Sequence, residues 1–392
     1  MKTIIYNARV IVSDRVIEQG YVAYENGIII GVGEGAPTLE GNLIDAEGRF
    51  LSAGFVDIHC HGGGDADFND GGVESYIIPA ELHAKHGTTT LVPTITTGPV
   101  EDVVRAFECF AKARDSEHLG ARLVGIHMEG PYLSPEQAGA QDPRYIRKPT
   151  PEDYGYIVEM SNGAIIRWTL APELEGADEF AAYLKKQGII ASIGHSNAVY
   201  ADVEKAYDNG VELMTHFYSG MSTITRVDGY RRLGVIESGY LIDGMNVEVI
   251  ADGHHLPREL LLMIYKLKGV DRIALVTDSM RGAGMPDGET VLGNRETGLR
   301  CIIEGGVAKL PDRSAFAGSV CTADRLVRTM YKTVGVPIVE AIQMMTSNPA
   351  RLIGIDGETG SLERGLRADL VLFDSDINVK MTVVGGKTVY KN

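Results

Sequence analysis

Hydrophobic and polar positions follow two different patterns along the chain. Near both ends, short apolar runs are separated by Asp, Glu, Asn and Gly and show no helical period; these runs are 4–12, 21–24, 27–32, 368–374, 379–384 and 385–390. Short runs of this kind, bounded by turn residues, are typical of β-strands. The two ends are therefore predicted to share one small β domain, of residues 1–50 and 356–392.

The middle of the chain alternates short apolar runs with stretches of helical period. The predicted strands are 55–59, 88–94, 123–128, 165–171, 189–194, 212–216, 247–251 and 272–277. The predicted helices are 74–86, 100–114, 151–160, 177–186, 200–209, 257–268, 322–333 and 337–346. A hairpin-like run at 288–310 is expected as an insertion after the eighth strand.

Eight strands alternating with helices favour a closed parallel sheet with crossover helices. We therefore expect an α/β protein. Its predicted parts are a TIM-like (β/α)8 barrel of residues 51–355 and a small β-sandwich domain formed by both chain termini.

Composition and charge exclude several classes of protein. The chain of 392 residues is 44% hydrophobic and 23% charged, and it has no apolar run near the roughly 20 residues of a membrane helix. The first seven residues enter strand-like sequence directly, and the four cysteines form no CxxC pair, so we expect a cytoplasmic protein without disulfides. A formal net charge of −16 argues against nucleic acid, and it means that an anionic substrate needs local cations.

Histidine or carboxylate side chains, the types that bind metals, lie at the ends of five of the predicted barrel strands. Residues i and i+2 of a strand point to the same face, so His59 and His61 are expected side by side, although this spacing alone also arises by chance. The other strand ends add Glu129, His195, His216 and Asp278. Barrel active sites lie at the carboxyl ends of the strands, and five such endings together predict a metal site.

The chemistry of this set points to hydrolysis. Nitrogen and oxygen ligands without thiolate suit zinc, with iron or manganese as alternatives. Such a metal activates water and polarises a carbonyl, and Asp278 is placed to act as the general base.

Seven motifs carry a resemblance to a known family. They are GFVDIHCHG at 54–62, GIHMEGPY at 125–132, GHS at 194–196, THFY at 215–218, ADGHH at 251–255, VTDSM at 276–280 and AGS at 317–319. Over essentially its whole length the chain resembles the amidohydrolase superfamily and, within it, the N-acetylglucosamine-6-phosphate deacetylases. Related hydantoinases and dihydroorotases use a carbamylated lysine on strand four, whereas the stretch 165–173 has no lysine, so Glu129 would take that place.

The resemblance implies a role for each matching residue. Glu129, His195 and His216 would be the principal metal ligands, His59 and His61 would complete a second metal site, and Asp278 would be the catalytic acid and base. One or two divalent ions per chain are implied, together with a homodimer in which some phosphate contacts come from the neighbouring subunit. The implied contacts to an amino-sugar phosphate are Ala140, Gln141, Ser219, Gly220, Arg231, Asp252, Gly253, His254, His255, Phe316, Ala317 and Gly318.

Three departures from the family concern the substrate. Gln141 stands where the family usually has a histidine, Ser219-Gly220 replaces a more usual Asn-Ala, and the segment 226–234 is longer, so Arg226 or Arg232 could serve in place of Arg231. The implied reaction is removal of acetate from N-acetylglucosamine 6-phosphate. The alternatives are a related hexosamine phosphate such as N-acetylgalactosamine 6-phosphate, another N-acyl amine, or a non-catalytic scaffold, which the complete ligand set disfavours.

Overall fold

Strands from both ends of the chain form one eight-stranded sheet in the computed structural model, which describes residues 2–38 and 40–392. The strands are Thr3–Ile11, Val16–Glu25, Ile28–Glu34, Asn42–Asp45, Phe50–Ala53, Leu370–Phe373, Val379–Val384 and Lys387–Lys391. The two ends meet where Leu370–Phe373 pairs antiparallel with Phe50–Ala53. The prediction that both termini build one β unit is confirmed, and this sheet has its own apolar core, including Ile5, Leu51 and Leu370.

The central part of the chain is a parallel barrel, as predicted. Its strands, in order, are Phe55–Cys60, Thr88–Thr96, Arg122–Leu123 with Ile126–Glu129, Ile165–Leu170, Ile190–Ile193, Leu213–Met214, Asn246–Val249 and Ile273–Leu275. The first and last strands close the ring through a parallel bridge between Cys60 and Ser279. There the Asp278 N–H donates to the His59 carbonyl at 2.9 Å, so the closure itself holds two site residues together.

Helices cover the outside of the barrel. They are Glu74–Lys85, Val100–Arg114, Pro151–Met160, Ala177–Gln187, Tyr200–Asp208, Val235–Leu241, Arg258–Lys268, Ala323–Arg328, Ile338–Gln343 and Ser347–Leu352, and Ala323–Arg328 continues as a π-helix, Thr329–Val334. All eight predicted helices are present. Val235–Leu241 and Ser347–Leu352 were not predicted, because six or seven residues are too few to show a helical period. No helix in the described part of the chain is long and apolar enough to cross a membrane.

Two antiparallel segments extend from the barrel. The predicted hairpin at 288–310 is a three-stranded antiparallel sheet, Gly288–Leu292, Leu299–Glu304 and Val307–Lys309. The second segment is an exposed hairpin, Thr225–Val227 with Tyr230–Arg232, in which Arg226 is paired with Arg231.

The division into domains follows the sheets closely. We propose residues 1–50 with 356–392 as one domain and residues 51–355 as the other. The strand Phe50–Ala53 runs across the first boundary, because it belongs to the terminal sheet while the next strand belongs to the barrel.

Candidate metal centre

Six side chains from five strand ends converge at the mouth of the barrel, and none is more than 9% exposed. They are His59, His61, Glu129, His195, His216 and Asp278. The structure thus brings together all of the residues that the sequence nominated for metal binding and acid–base chemistry.

Glu129 lies between the two groups of histidines. Its Oε1 is 2.8 Å from His216 Nε2 and 3.1 Å from His195 Nε2, while its Oε2 is 3.2 Å from His61 Nε2. The carboxylate therefore contacts both predicted ligand groups.

The histidine pair of the first strand lies against Asp278. His59 Nε2 and His61 Nε2 are 3.3 Å apart, and Asp278 Oδ1 is 3.3 Å and 3.1 Å from them. The two rings share one face of the strand, as the spacing of two residues requires.

An unusual backbone conformation recurs at the ends of three strands. His195, His216 and Asp278 have φ angles of 48°, 28° and 47°, in the left-handed region that non-glycine residues seldom adopt. Such conformations cost of order 1 kcal/mol each and are maintained only where the surrounding structure enforces them. We read them as the local turns that direct these side chains into the mouth.

The loop after the third strand is held by aromatic packing. Trp168 is fully buried, donates from Nε1 to the Gly130 carbonyl at 2.8 Å, and stacks on Tyr132 with ring centroids 5.7 Å apart. These contacts fix the chain on the carboxyl side of Glu129 and so determine where its carboxylate lies.

The carboxylates and histidines of the site shift one another's pKa values towards the charged forms. Burial would raise the pKa of Glu129, but the histidines, His59 foremost, hold it well below its usual value. The same balance lowers the pKa of Asp278 to about 2, since His59 and His61 outweigh its burial. Conversely, hydrogen bonding and attraction from Glu129 overcome burial and raise the pKa of His216 to about 9. The cluster is thus a buried pair of carboxylates that attracts positive charge.

The donor set fits divalent cations. Two pairs of ring nitrogens face each other, His59 with His61 at 3.3 Å and His195 with His216 at 3.1 Å, and two lone pairs in such contact require a proton or a cation between them. Two overlapping groups have ligand atoms within 4.8 Å of one another: His59, His61 and Asp278, and His59, Glu129 and His216. Imidazole and carboxylate ligands suit zinc, iron and manganese.

A third group of metal-type residues joins Asp57 and Cys60 of the first barrel strand to His83 of the helix Glu74–Lys85. His83 Nε2 is 3.0 Å from the Gly62 carbonyl and 3.4 Å from Cys60 Sγ. Burial lowers the pKa of His83 to about 4 and raises that of the Cys60 thiol, so both groups are neutral near pH 7. This cluster is therefore part of the buried core.

Gln141 is tied at both ends of its amide. Its Oε1 accepts from the Thr97 backbone N–H at 3.0 Å, and its Nε2 donates to Glu129 Oε2 at 2.7 Å. The backbone contact fixes which end of the amide faces the site, so Gln141 presents N–H donors to the reacting region.

A cleft of about 240 Å³ opens onto five of the six groups, and His59 lies buried behind them. Of the contacts implied for the sugar phosphate, those that line it are Ala140, Gln141, Ser219, Gly220, His255, Phe316 and Gly318. Asp252 lies behind His255 and accepts from its Nδ1 at 2.8 Å. Ala317 is buried behind the wall, whereas Gly253 and His254 are exposed beside the cleft.

The arginines of the segment 226–234 lie away from this cleft. Arg226, Arg231 and Arg232 are all exposed on the projecting hairpin. No lysine or arginine is among the cleft-lining residues, all of which belong to the described ranges.

Sequence reasoning missed four residues of the cleft wall and two charges beneath it. Thr96, Gly139, Leu292 and Ala315 also line the cleft. Their residue types carry no chemical signal. Beneath the site, Arg167 and Glu248 are fully buried in the barrel, and their charge within apolar strands was a signal that could have identified them.

The pattern of one protein family matches residues 50–389, and it is that of the amidohydrolases. The chain belongs to the amidohydrolase family. It is 35% identical to the N-acetylglucosamine-6-phosphate deacetylase of Haemophilus influenzae, over 88% of this chain and 87% of that protein. It is 32% identical to the N-acetylgalactosamine-6-phosphate deacetylase of Escherichia coli O157:H7, over 88% and 89%.

A solved structure extends this similarity to the whole amidohydrolase chain. It is a mutant N-acetyl-D-glucosamine-6-phosphate deacetylase from Mycobacterium smegmatis in complex with N-acetyl-D-glucosamine-6-phosphate. The TM-score is 0.91 at 29% identity, with 100% of both chains covered. The barrel and the terminal sheet therefore both have counterparts in that enzyme.

Proposed function

We propose that this amidohydrolase is a metal-dependent deacetylase that converts N-acetylglucosamine 6-phosphate to glucosamine 6-phosphate and acetate. The observation that carries the proposal is the convergence of four histidines and two carboxylates on one cleft, with Glu129 in contact with both histidine groups. The names of the similar proteins supply the substrate class, and the geometry supplies the hydrolytic chemistry.

Glu129, His195 and His216 are the proposed ligands of one divalent ion, and His59 and His61 those of a second. An ion held there supplies Lewis acidity to the amide carbonyl and to water. Zinc is our first choice of metal, with iron or manganese as alternatives, since all three accept this ligand set.

Asp278 is the proposed proton carrier. Its carboxylate is ionised and lies at the cleft surface, so it can take a proton from the attacking water and return it to the leaving amine. Gln141 is proposed to donate a hydrogen bond towards the acetyl carbonyl from the amide nitrogen that contacts Glu129. A glutamine can polarise the carbonyl in this way but cannot transfer a proton, so Asp278 must carry the proton alone.

The phosphate requires a cation that the cleft of one chain does not offer. Among the lining residues outside the six clustered groups, the imidazole of His255 is the side chain most similar to a cation, and Asp252 accepts a hydrogen bond from its Nδ1. Arg231 projects on the exposed hairpin, and guanidinium groups bind phosphate through paired donors. We propose that the chain forms a homodimer in which the hairpin of one protomer brings Arg231 to the phosphate of its partner, with Arg226 and Arg232 as alternatives.

This arrangement is tested by pairing two defective variants in one dimer. A heterodimer of Asp278→Asn and Arg231→Ala chains contains one site with an intact Asp278 and an intact arginine from the other protomer. If the arginine acts across the interface, the purified heterodimer should recover about half of the wild-type turnover, since one site of two is complete. If both homodimers are impaired and the heterodimer shows no recovery beyond their average, Arg231 does not act across the interface. Arg226→Ala and Arg232→Ala chains are the matched controls.

The reaction itself is tested by acetate release from a small panel of substrates. The panel contains N-acetylglucosamine 6-phosphate, N-acetylgalactosamine 6-phosphate and unphosphorylated N-acetylglucosamine, each with metal-loaded and chelator-treated protein. We expect metal-dependent release with the highest kcat/KM for N-acetylglucosamine 6-phosphate. A higher value for the galactosamine epimer would transfer the assignment to the activity named for the E. coli relative. No release from either phosphate would refute the proposal.

The proposed compartment is the cytoplasm. All four cysteines are buried as free thiols, and a reducing environment keeps such thiols unpaired.

A further inference from the structure

A buried ion pair lies in the barrel interior directly beneath the metal centre. Arg167, on the fourth barrel strand, and Glu248, on the seventh, both have no exposed surface, and Arg167 Nη1 donates to Glu248 Oε1. Taking two charges out of water costs several kcal/mol per ion, so a pair in this position needs further contacts or a function to account for it.

Arg167 is held by groups from several strands. Its guanidinium donates to the Ile58 carbonyl at 3.2 Å and to Thr215 Oγ1 at 2.9 Å, and it contacts Ser192 Oγ at 3.2 Å. Ile58 immediately precedes His59, and Thr215 immediately precedes His216. The arginine thus connects the strands that carry two proposed ligands.

Glu248 contacts the same two ligands directly. Its Oε2 accepts from His59 Nδ1 at 3.1 Å and from the His216 backbone N–H at 3.2 Å. Because Nδ1–H of His59 is used in this hydrogen bond, its Nε2 is left with a lone pair, and Nε2 is the atom that points to Glu129 and Asp278.

We propose that Glu248 is a positioning residue that holds His59 as an Nε2 ligand, and that Arg167 orients the Glu248 carboxylate. Carboxylates bonded to the second nitrogen of a ligand histidine act in this way, and their loss typically lowers metal affinity 10- to 100-fold. This inference rests on the metal site of the proposed function.

The other histidines of the described site are oriented differently. His195 Nδ1 contacts the neutral Gln137 carbonyl at 2.8 Å, and the Nδ1 atoms of His61 and His216 are buried without a hydrogen-bond partner. An effect of the Glu248 charge is therefore expected mainly on the ion that His59 binds, and less on the ion of His195 and His216.

The test is metal affinity in Glu248→Gln, measured by competition with a chromophoric chelator for zinc. We expect the association constant for the zinc ion assigned to His59 and His61 to fall 10- to 100-fold. The association constant for the ion assigned to Glu129, His195 and His216 should stay within about threefold of the wild-type value. If the protein binds a single ion, a 10- to 100-fold loss for that ion would show that His59 is one of its ligands, and an unchanged affinity would refute the proposal. The matched control is Asp70→Asn, which makes the same change in the partly buried Arg281–Asp70 pair, whose 2.8 Å contact involves none of the proposed metal ligands.

A second variant guards against misfolding, because Glu248→Gln leaves Arg167 charged and unpaired. In the double variant Glu248→Gln with Arg167→Gln both charges are gone, and the same loss of zinc affinity is expected. If every binding step of both variants lies within threefold of that of Asp70→Asn, Glu248 has no positioning role. That result would leave the deacetylase proposal standing, since the wild-type protein tests that proposal through acetate release and metal content.

Discussion

Replacement of Asp278 by Asn separates proton transfer from metal binding and folding. Asn has nearly the same size as Asp and also tolerates the left-handed φ of 47° at this position. The backbone contacts of residue 278, from its N–H to the His59 carbonyl at 2.9 Å and from the Ser319 N–H to its own carbonyl at 2.8 Å, do not involve the side chain. We therefore expect the variant to fold, with a free energy of unfolding within about 1 kcal/mol of the wild-type value.

The activity of Asp278→Asn should nevertheless collapse. A carboxamide cannot accept and return a proton, and loss of a general acid or base costs about 10²- to 10⁴-fold, which is about 3 to 5 kcal/mol of transition-state stabilisation. The assay is acetate release under saturating N-acetylglucosamine 6-phosphate, together with elemental analysis of the same protein. Because Asp278 Oδ1 lies 3.1 Å from His61 Nε2, metal content must be shown to be unchanged before the loss is attributed to proton transfer. Turnover within tenfold of the wild type, at full metal content, would refute the role.

Three further outcomes are expected. His59→Asn combined with His61→Asn should reduce the metal content from two ions per chain to one, while Glu129→Gln disrupts both; elemental analysis decides, and unchanged stoichiometry would make the pair structural. Gln141→Ala should lower kcat/KM by about 10- to 100-fold, the cost of a hydrogen bond to a charged group, and Gln141→His should recover most of it in steady-state kinetics. His83 has a pKa of about 4 in the fold against about 6.5 unfolded, so the unfolded chain binds more protons between these values and stability falls as pH falls. Between pH 7 and pH 5 this group should lower the free energy of unfolding by about 2 kcal/mol. In urea unfolding of the metal-free protein, His83→Gln should not show this part of the decrease with pH.

The barrel and the convergence of the six polar side chains at its mouth were predictable for a common reason. In a parallel barrel every strand ends at the same face, so polar residues at strand ends must meet whatever the helices between them do. The predicted strand 55–59 ends one residue before the observed Phe55–Cys60, and the predicted carboxyl ends of the other barrel strands lie within two residues of the observed ones. Small errors of this kind leave Glu129, His195 and His216 in the mouth.

Part of the substrate cleft was less predictable because it comes from an insertion. Leu292, Ala315 and Phe316 reach the cleft from or just after the three-stranded sheet that follows the eighth strand. No strand-end rule governs where such a sheet folds back. The position of Arg231 is harder still, since the hairpin that carries it is exposed in one chain and its proposed ligand belongs to a second.

Arg167 and Glu248 are charged residues within apolar barrel strands, and this feature of the sequence could have identified them as a buried pair. Strands of a parallel barrel are buried on both faces, so an apolar run does not reveal which residues point inward, and alternation gives no help. A charge within such a run is different, because an unpaired buried charge is too costly to persist. Arg167 in Ile165–Leu170 and Glu248 in Asn246–Val249 are two charges of opposite sign, each in the middle of a short barrel strand. Each therefore required a partner inside the barrel, and the proposed metal ligands at the mouth are the groups such a pair can orient. Opposite charges in the middle of two predicted barrel strands are thus candidates for a buried pair, and the ligand at the end of an adjoining strand is where their effect should be sought.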